Sequence, residues 1–376
     1  MTVLLWILGI LAVPTLIVAL WLGGVFVKEF VAQTRGTATN DDGDGGAAAA
    51  EQLGLLPAER QSTKYAGVLP DGWETALDAV RDGGDGSWKA AAELLHGIGR
   101  DWERRASASS LLASIAAEDD AWLLAWETDG PLGPDDPDAA LVRARSTVKL
   151  AWNVRGGLRA NHTTGEQFAG FHRLLQRSRE EIARAAALNP DDPTPYVAEI
   201  WTALGLGYPH SAMDKLWSEI TARDPHHYEA HFSALQYWCE KWRGSEQLAT
   251  EFAERAAAAA PLGSLLTVLP LIAHFEHDES DDSDADRTPE MIARVNAGLA
   301  DAAAADPTHP RLPELRHLLA YYLSLQDRDE AAIEQFRLVD GYVDALPWRY
   351  RANMTARYCH IRNLSAQAVV SAAEQE

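Results

Sequence analysis

The chain has 376 residues, with 33 lysines and arginines against 55 aspartates and glutamates, for a formal net charge of −22. An acidic surface of this kind repels nucleic acid and anionic lipid headgroups, so no nucleic-acid partner is expected and a basic partner is favoured. The two cysteines, Cys239 and Cys359, form neither a disulfide framework nor a C-x-x-C pair for redox chemistry or zinc.

Residues 2–27 contain no charged side chain, and roughly 20 apolar residues suffice for a helix to cross a bilayer. Trp6 and Trp21 stand near the two ends, where interfacial aromatics collect. No basic stretch precedes the run, the run is longer than a signal-peptide core, and no A-x-A site follows it. Residues 1–28 therefore read as a retained, single-pass transmembrane anchor in the cell membrane. Lys28 and Arg35 follow the span, which places the soluble part in the cytoplasm by the positive-inside rule.

Residues 29–70, rich in Gly, Ala, Asp and Thr, read as a flexible acidic linker. Within it Asn40, Asp42, Asp44, Gly45 and Glu51 match positions 1, 3, 5, 6 and 12 of a calcium-binding loop. Asn at the first position, Ala47 at the eighth and the lack of an amphipathic helix leading in favour a solvated linker, and no cofactor is expected.

From residue 71 onward apolar residues recur at helical spacing, and Asp-Pro, Gly-Gly and Asn-Pro punctuate the chain. The pattern predicts helices over 72–82, 87–106, 109–126, 137–155, 165–188, 194–205, 210–223, 227–242, 246–259, 263–275, 289–305, 312–325, 329–339 and 348–373. Thirteen tryptophans point to a substantial packed core.

The second half carries a period. Helices end at Pro190, Pro225, Pro261 and Pro307, at intervals of 35, 36 and 46, and Asp340-Gly341 follows 34 residues after Pro307. The long interval contains the acidic run 276–286, an insertion whose removal restores a period close to the 34 residues of tetratricopeptide (TPR) hairpins. Trp201 and Met213 stand where consensus repeats have small residues, so the array is TPR-like. The fold class is all-α: a TPR-like α-solenoid of stacked helix hairpins behind one transmembrane helix. Its parts are an N-terminal helical region over 71–160, repeats over 161–345, and a C-terminal helix and tail over 346–376.

A family resemblance rests on five stretches. They are Ala151-Trp152-Asn153-Val154-Arg155-Gly156-Gly157, Gly170-Phe171-His172, Asn189-Pro190-Asp191-Asp192-Pro193, Asp224-Pro225-His226-His227 and Trp238-Cys239-Glu240-Lys241-Trp242-Arg243-Gly244-Ser245. Together they resemble a bacterial domain family of unknown function with a TPR-like fold. The resemblance spans about residues 70 to 340. It implies a helical repeat fold and no particular activity.

Several constellations invite a chemical test. His227 and His231 are four apart on a predicted helix, so both rings could face one metal ion, but the order His-Tyr-Glu-Ala-His puts Glu229 away from the general-base position of zinc proteases. His226, His274 and His277 read as helix-end residues. Trp238 and Trp242 share a helix face, Gly244 is suited to end that helix in the left-handed conformation, and Ser245 to cap the next. Lys241 and Arg243 form a small cationic spot there. Arg155-Gly156-Gly157 lacks the P-loop pattern, and no nucleophile elbow, kinase or Rossmann signature occurs. The acidic run 276–286 and the basic residues Arg349, Arg351, Arg357 and Arg362 read as separate solvated features or, alternatively, as docking partners.

These observations predict a membrane-anchored scaffold that binds a protein or peptide of basic character and is not an enzyme. Its candidate contacts are His227, His231, Trp238, Lys241, Trp242 and Arg243. A metal- or ligand-binding enzyme built around His227, His231 and the 238–245 hairpin is a second reading, and a structural envelope component a third.

Overall fold

A computed structural model describes residues 44–156, 164–278 and 284–375. Among these residues all regular structure is helical. The first helices are α1 (Asp44–Gln52), α2 (Trp73–Asp82), α3 (Trp88–Ile98), α4 (Trp102–Glu118), α5 (Ala121–Asp129) and α6 (Pro137–Arg155). They are followed by α7 (Gly165–Leu188), α8 (Thr194–Leu206), α9 (His210–Thr221), α10 (Tyr228–Trp238) and α11 (Glu246–Ala259). The last are α12 (Leu269–His277), α13 (Pro289–Ala304), α14 (Leu312–Leu325), α15 (Asp329–Val339) and α16 (Met354–Ala373). An isolated bridge joins Ser62 and Tyr342.

Helix starts follow from side chains that satisfy the first free N–H groups. Asp136 accepts from Asp138 and Ala139 ahead of α6, with Pro137 in the first turn. Thr164 and Gln167 form a reciprocal capping box on α7, and Ser245 accepts from Leu248 to open α11. The expected and observed boundaries of α6, α7 and α11, which carry these caps, coincide, as do those of α14 and α15.

Elsewhere the helices differ from expectation for local reasons. The stretch expected over 87–106 breaks at Gly99, whose φ of 60° ends α3, and Asp101 then caps α4 through the Arg104 N–H. The next break falls at Asp119, whose carboxylate accepts from the Ala121 N–H. Leu265 has a φ of 66° and Pro270 sits in the first turn of α12, so that helix starts at Leu269 rather than 263. Residues 44–67, expected as part of a flexible tether, instead contain α1 and the turn Ala58–Arg60. Glu51 lies within α1, and Asn40 and Asp42 lie outside the described residues. The apolar run 2–27 also lies outside them, and among the described residues no helix is long and apolar enough to cross a membrane.

The chain divides into two units. The larger comprises Val68–Asp278 and Asp284–Leu319. Within it α6 packs on α7, α7 on α8, α8 on α9, α10 on α11, α11 on α12 and α12 on α13. Contacts one step further link α4 to α6, α6 to α8, α8 to α10 and α10 to α12. Each helix thus meets its successor or the next but one, a pattern compatible with a helical repeat. Its N-terminal core gathers Trp73, Leu77, Trp88, Leu95, Leu112 and Trp126, with Trp88 stacked on Trp126 at 6.3 Å between centroids. The Trp126 indole donates to Asp136 Oδ2 at 3.0 Å, so the α6 cap also satisfies a buried N–H.

The smaller unit comprises residues up to Gly67, Glu279–Ser283 and Ala320 onward. Trp348 is fully buried among Tyr321, Phe336 and Tyr358. Arg362, 2% exposed, donates to the Leu56 carbonyl at 2.7 Å and to Asp340 Oδ1 at 3.3 Å. Asp340 also accepts from the Leu56 N–H at 2.6 Å and from Gln61 at 2.8 Å. This buried knot fastens residues 56–61 to α16. Arg349 pairs with Asp344 at 2.8 Å, so Arg349 and Arg362 have acidic partners within their own unit.

Gly205 sits at a close crossing of α7 and α8. A Cβ there would lie 2.3 Å from Leu175 Cδ1 and 2.6 Å from Phe171 Cζ. Gly205→Ala is expected to lower the unfolding free energy of the full chain by about 1–3 kcal/mol in urea titration. A change within about 0.5 kcal/mol would contradict so close a crossing.

Candidate functional site

One polar network of the larger unit is built on and around α10. His227 is the N-cap of α10, where its Nδ1 accepts from the Ala230 N–H at 3.2 Å and its Nε2 donates to the Trp102 carbonyl at 3.3 Å. His231 Nδ1 donates to the His227 carbonyl at 2.9 Å, and its ring packs against Trp217 and Phe252, which also touch each other. Backbone groups thus take both nitrogens of His227 and one of His231, and the two rings do not converge on a shared ion.

Between the histidines lies Glu229, 7% exposed. Arg145 from α6 donates to one oxygen, and Arg311, just ahead of α14, donates to the other at 2.7 Å. Burial alone would raise the Glu229 carboxyl, but the two guanidiniums outweigh it and hold the pKa at about 2. Glu103 accepts from the Tyr228 N–H, and its Oε1 lies 3.7 Å from His227 Nδ1. Burial raises the Glu103 carboxyl above its ordinary range. Arg105, 2% exposed, reaches Asp138 at 2.6 Å and Asp192 at 2.5 Å. Chemically, this network holds charges in place. Its carboxylates are matched by cations or backbone N–H groups drawn from α4, α6, α10 and the chain before α14.

Sequence reasoning overlooked Glu103, Arg105, Arg145, Glu229 and Arg311 as interacting groups. Arg145 offered a signal, because it interrupts the buried stripe of Leu141, Ala144 and Val148 on α6. A cation on an apolar helix face implies a buried partner.

The expected hairpin residues lie at the other end of α10, about 16 Å from its N-cap at a rise of ~1.5 Å per residue. Trp238 packs on His210, and Trp242 meets Trp152 edge-on at 5.4 Å, with Arg155 stacked near both of those tryptophans. Lys241 pairs with Glu276 at 2.5 Å. Arg243 is exposed, and its carbonyl accepts from His210 Nε2 at 2.7 Å. The side chains of Trp238, Lys241 and Trp242 thus meet different neighbours. Ser245 caps α11 as expected. Gly244 does not adopt a left-handed conformation; it is required because a Cβ would lie 1.8 Å from the Trp238 carbonyl oxygen.

Two adjoining open recesses, of about 370 and 750 Å³, lie along α5, α6 and α7 and share Asp120, Arg143 and Arg177. Arg143 is held by Glu127 in a bidentate pair and by Asp120 at 2.6 Å. Burial works against its charge, but these carboxylates keep the guanidinium firmly protonated. Leu124, 55% exposed, lines the larger recess.

No protein-family model, curated protein or solved structure matches this chain.

Two histidines, buried His231 and half-buried His309, give the larger unit an acid response. Burial lowers His231 to about 4, and burial together with the Arg311 charge lowers His309 to about 4, from an ordinary value near 6.5. Both are neutral in the folded state and bind protons more readily when unfolded. Their contribution is therefore present above about pH 6.5 and is lost as pH falls toward 4. The melting temperature of the full chain in detergent is expected to drop between pH 7 and pH 4.5, and His231→Phe to reduce that drop. An unchanged pH profile in the variant would remove His231 from the response.

Proposed function

We propose that this chain is a membrane-anchored, TPR-like helical-repeat scaffold, and that the recesses along α5–α7 receive a basic segment of a protein partner. The observation that carries the reading is the make-up of those recesses. They combine an exposed leucine, Leu124, with the acids Glu118, Asp119, Asp120, Glu127 and Glu181, against the arginines Arg143, Arg177 and Arg184. The arginines already have acidic neighbours in the fold: Arg143 pairs with Glu127, Arg177 with Glu181 at 2.7 Å and Arg184 with Asp135 at 3.0 Å. The acidic excess attracts cationic side chains, as does the chain's net charge of −22. Helix-hairpin arrays commonly present such concave surfaces to peptides, and the family-level part of this reading is an analogy of fold. The apolar run 2–27 supplies the anchor, and Lys28 and Arg35 favour a cytoplasmic scaffold.

The test places a photo-crosslinking residue at Leu124 of the full chain, in cells that make the protein natively. A discrete adduct is expected that Glu118→Lys weakens severalfold. Labelling no different from that of the same crosslinker at Leu262, an exposed position that lines neither recess, would contradict the proposal.

A further inference from the structure

The end of α12 carries a polar cluster that protein binding does not use. His274 lies in the last turn of α12, and Asp278 is the residue that follows the helix, four positions on, so the two side chains share one side. Asp286 comes from the short turn Asp284–Arg287, and its side chain is 1% exposed. His274 Nε2 lies 3.0 Å from Asp286 Oδ1 and 3.7 Å from Asp278 Oδ2, and the three donor atoms all fall within 4.8 Å of one another.

This spacing is close to that of ligands on one ion. Two atoms bound at ~2.1 Å and separated by a right or tetrahedral angle stand about 3.0–3.5 Å apart. The His274–Asp286 pair already meets that value, and a side-chain rotation of Asp278 brings the third donor in. The imidazole Nε2 has one hydrogen to share between two carboxylates. A divalent cation engages all three groups at once and cancels the repulsion between the carboxylates. The C-terminal end of a helix, with its partial negative charge, favours a cation in the same place.

The neighbouring donors are engaged elsewhere. Glu276 accepts from Lys241 at 2.5 Å and from Gln236 at 2.7 Å. His277 donates to the Ala273 carbonyl at 2.8 Å and accepts from the Glu240 N–H at 3.3 Å. Among the described residues the donor set is therefore one imidazole nitrogen and two carboxylate oxygens. A nitrogen donor beside carboxylates suits zinc or manganese better than calcium or magnesium.

We propose that His274, Asp278 and Asp286 form a binding site for one divalent transition-metal ion of the zinc or manganese class. The ion and a proton compete for His274 Nε2, so its affinity falls with falling pH. An ion seated there clamps the turn Asp284–Arg287 to the end of α12.

The test treats the full chain with a chelator, removes the chelator, and titrates with zinc chloride by calorimetry, with metal analysis after desalting. One retained equivalent is expected for the wild type, with magnesium and calcium failing to compete. Asp286→Asn and Asp278→Asn are each expected to weaken binding at least tenfold without change in the helical circular dichroism. If Asp286→Asn fails to fold, the less buried positions decide through Asp278→Asn and His274→Gln. A wild-type chain that retains no ion would overturn the site, as would an Asp278→Asn variant that folds and binds as tightly as the wild type.

Discussion

The larger unit depends on one buried carboxylate reached by two guanidiniums. Glu229 stands on α10, Arg145 on α6, and Arg311 just before α14, so the three come from segments more than eighty residues apart in sequence. Taking such charges out of water costs several kcal/mol per ion, and only multiple hydrogen bonds in good geometry offset it. A helix slipped by one turn would strand a charge in the core. The network therefore selects one register for stacked helices whose alanine-rich faces would otherwise slide with little penalty. Arg105, bridging Asp138 and Asp192, applies the same constraint nearer the N-terminal end of the unit. The smaller unit repeats the device with Arg362 and Asp340.

This constraint also gives the histidines their roles. His227 and His231 look like a metal pair in sequence because four residues put two rings on one helix face. In the fold, the cap position turns His227 toward backbone groups, and His231 joins the Trp217–Phe252 ring cluster. The residues at the end of α12 looked like ordinary helix-end histidines, yet His274 faces two carboxylates. The difference lies in what each ring meets across the chain, and sequence spacing alone does not reveal it.

What was legible in the sequence was local. Caps such as Asp136 with Pro137, Thr164 with Gln167, and Ser245 mark helix starts because their chemistry acts within four residues. The all-α class followed from apolar spacing in the same way. Breaks at Gly99 and Asp119 were hidden by apolar residues that continue the helical period across them. The ordering of residues 44–67 was hidden for a different reason. Their composition is that of a linker, and their hydrogen bonds go to Asp340, Gly341 and Arg362, almost three hundred residues away. The Glu229 network was hidden likewise, since nothing local pairs Arg145 with a glutamate 84 positions on.

The central claim is that buried charges of the larger unit serve as structural ties that set the stacking of its helices. A double-mutant cycle on Glu229→Gln and Arg145→Met, read as unfolding free energy of the full chain, tests it most directly. The account expects Glu229→Gln alone to cost about 3–5 kcal/mol and the two changes to couple by at least about 1.5 kcal/mol. Effects that add to within about 0.5 kcal/mol would contradict it, because the two groups would then act independently.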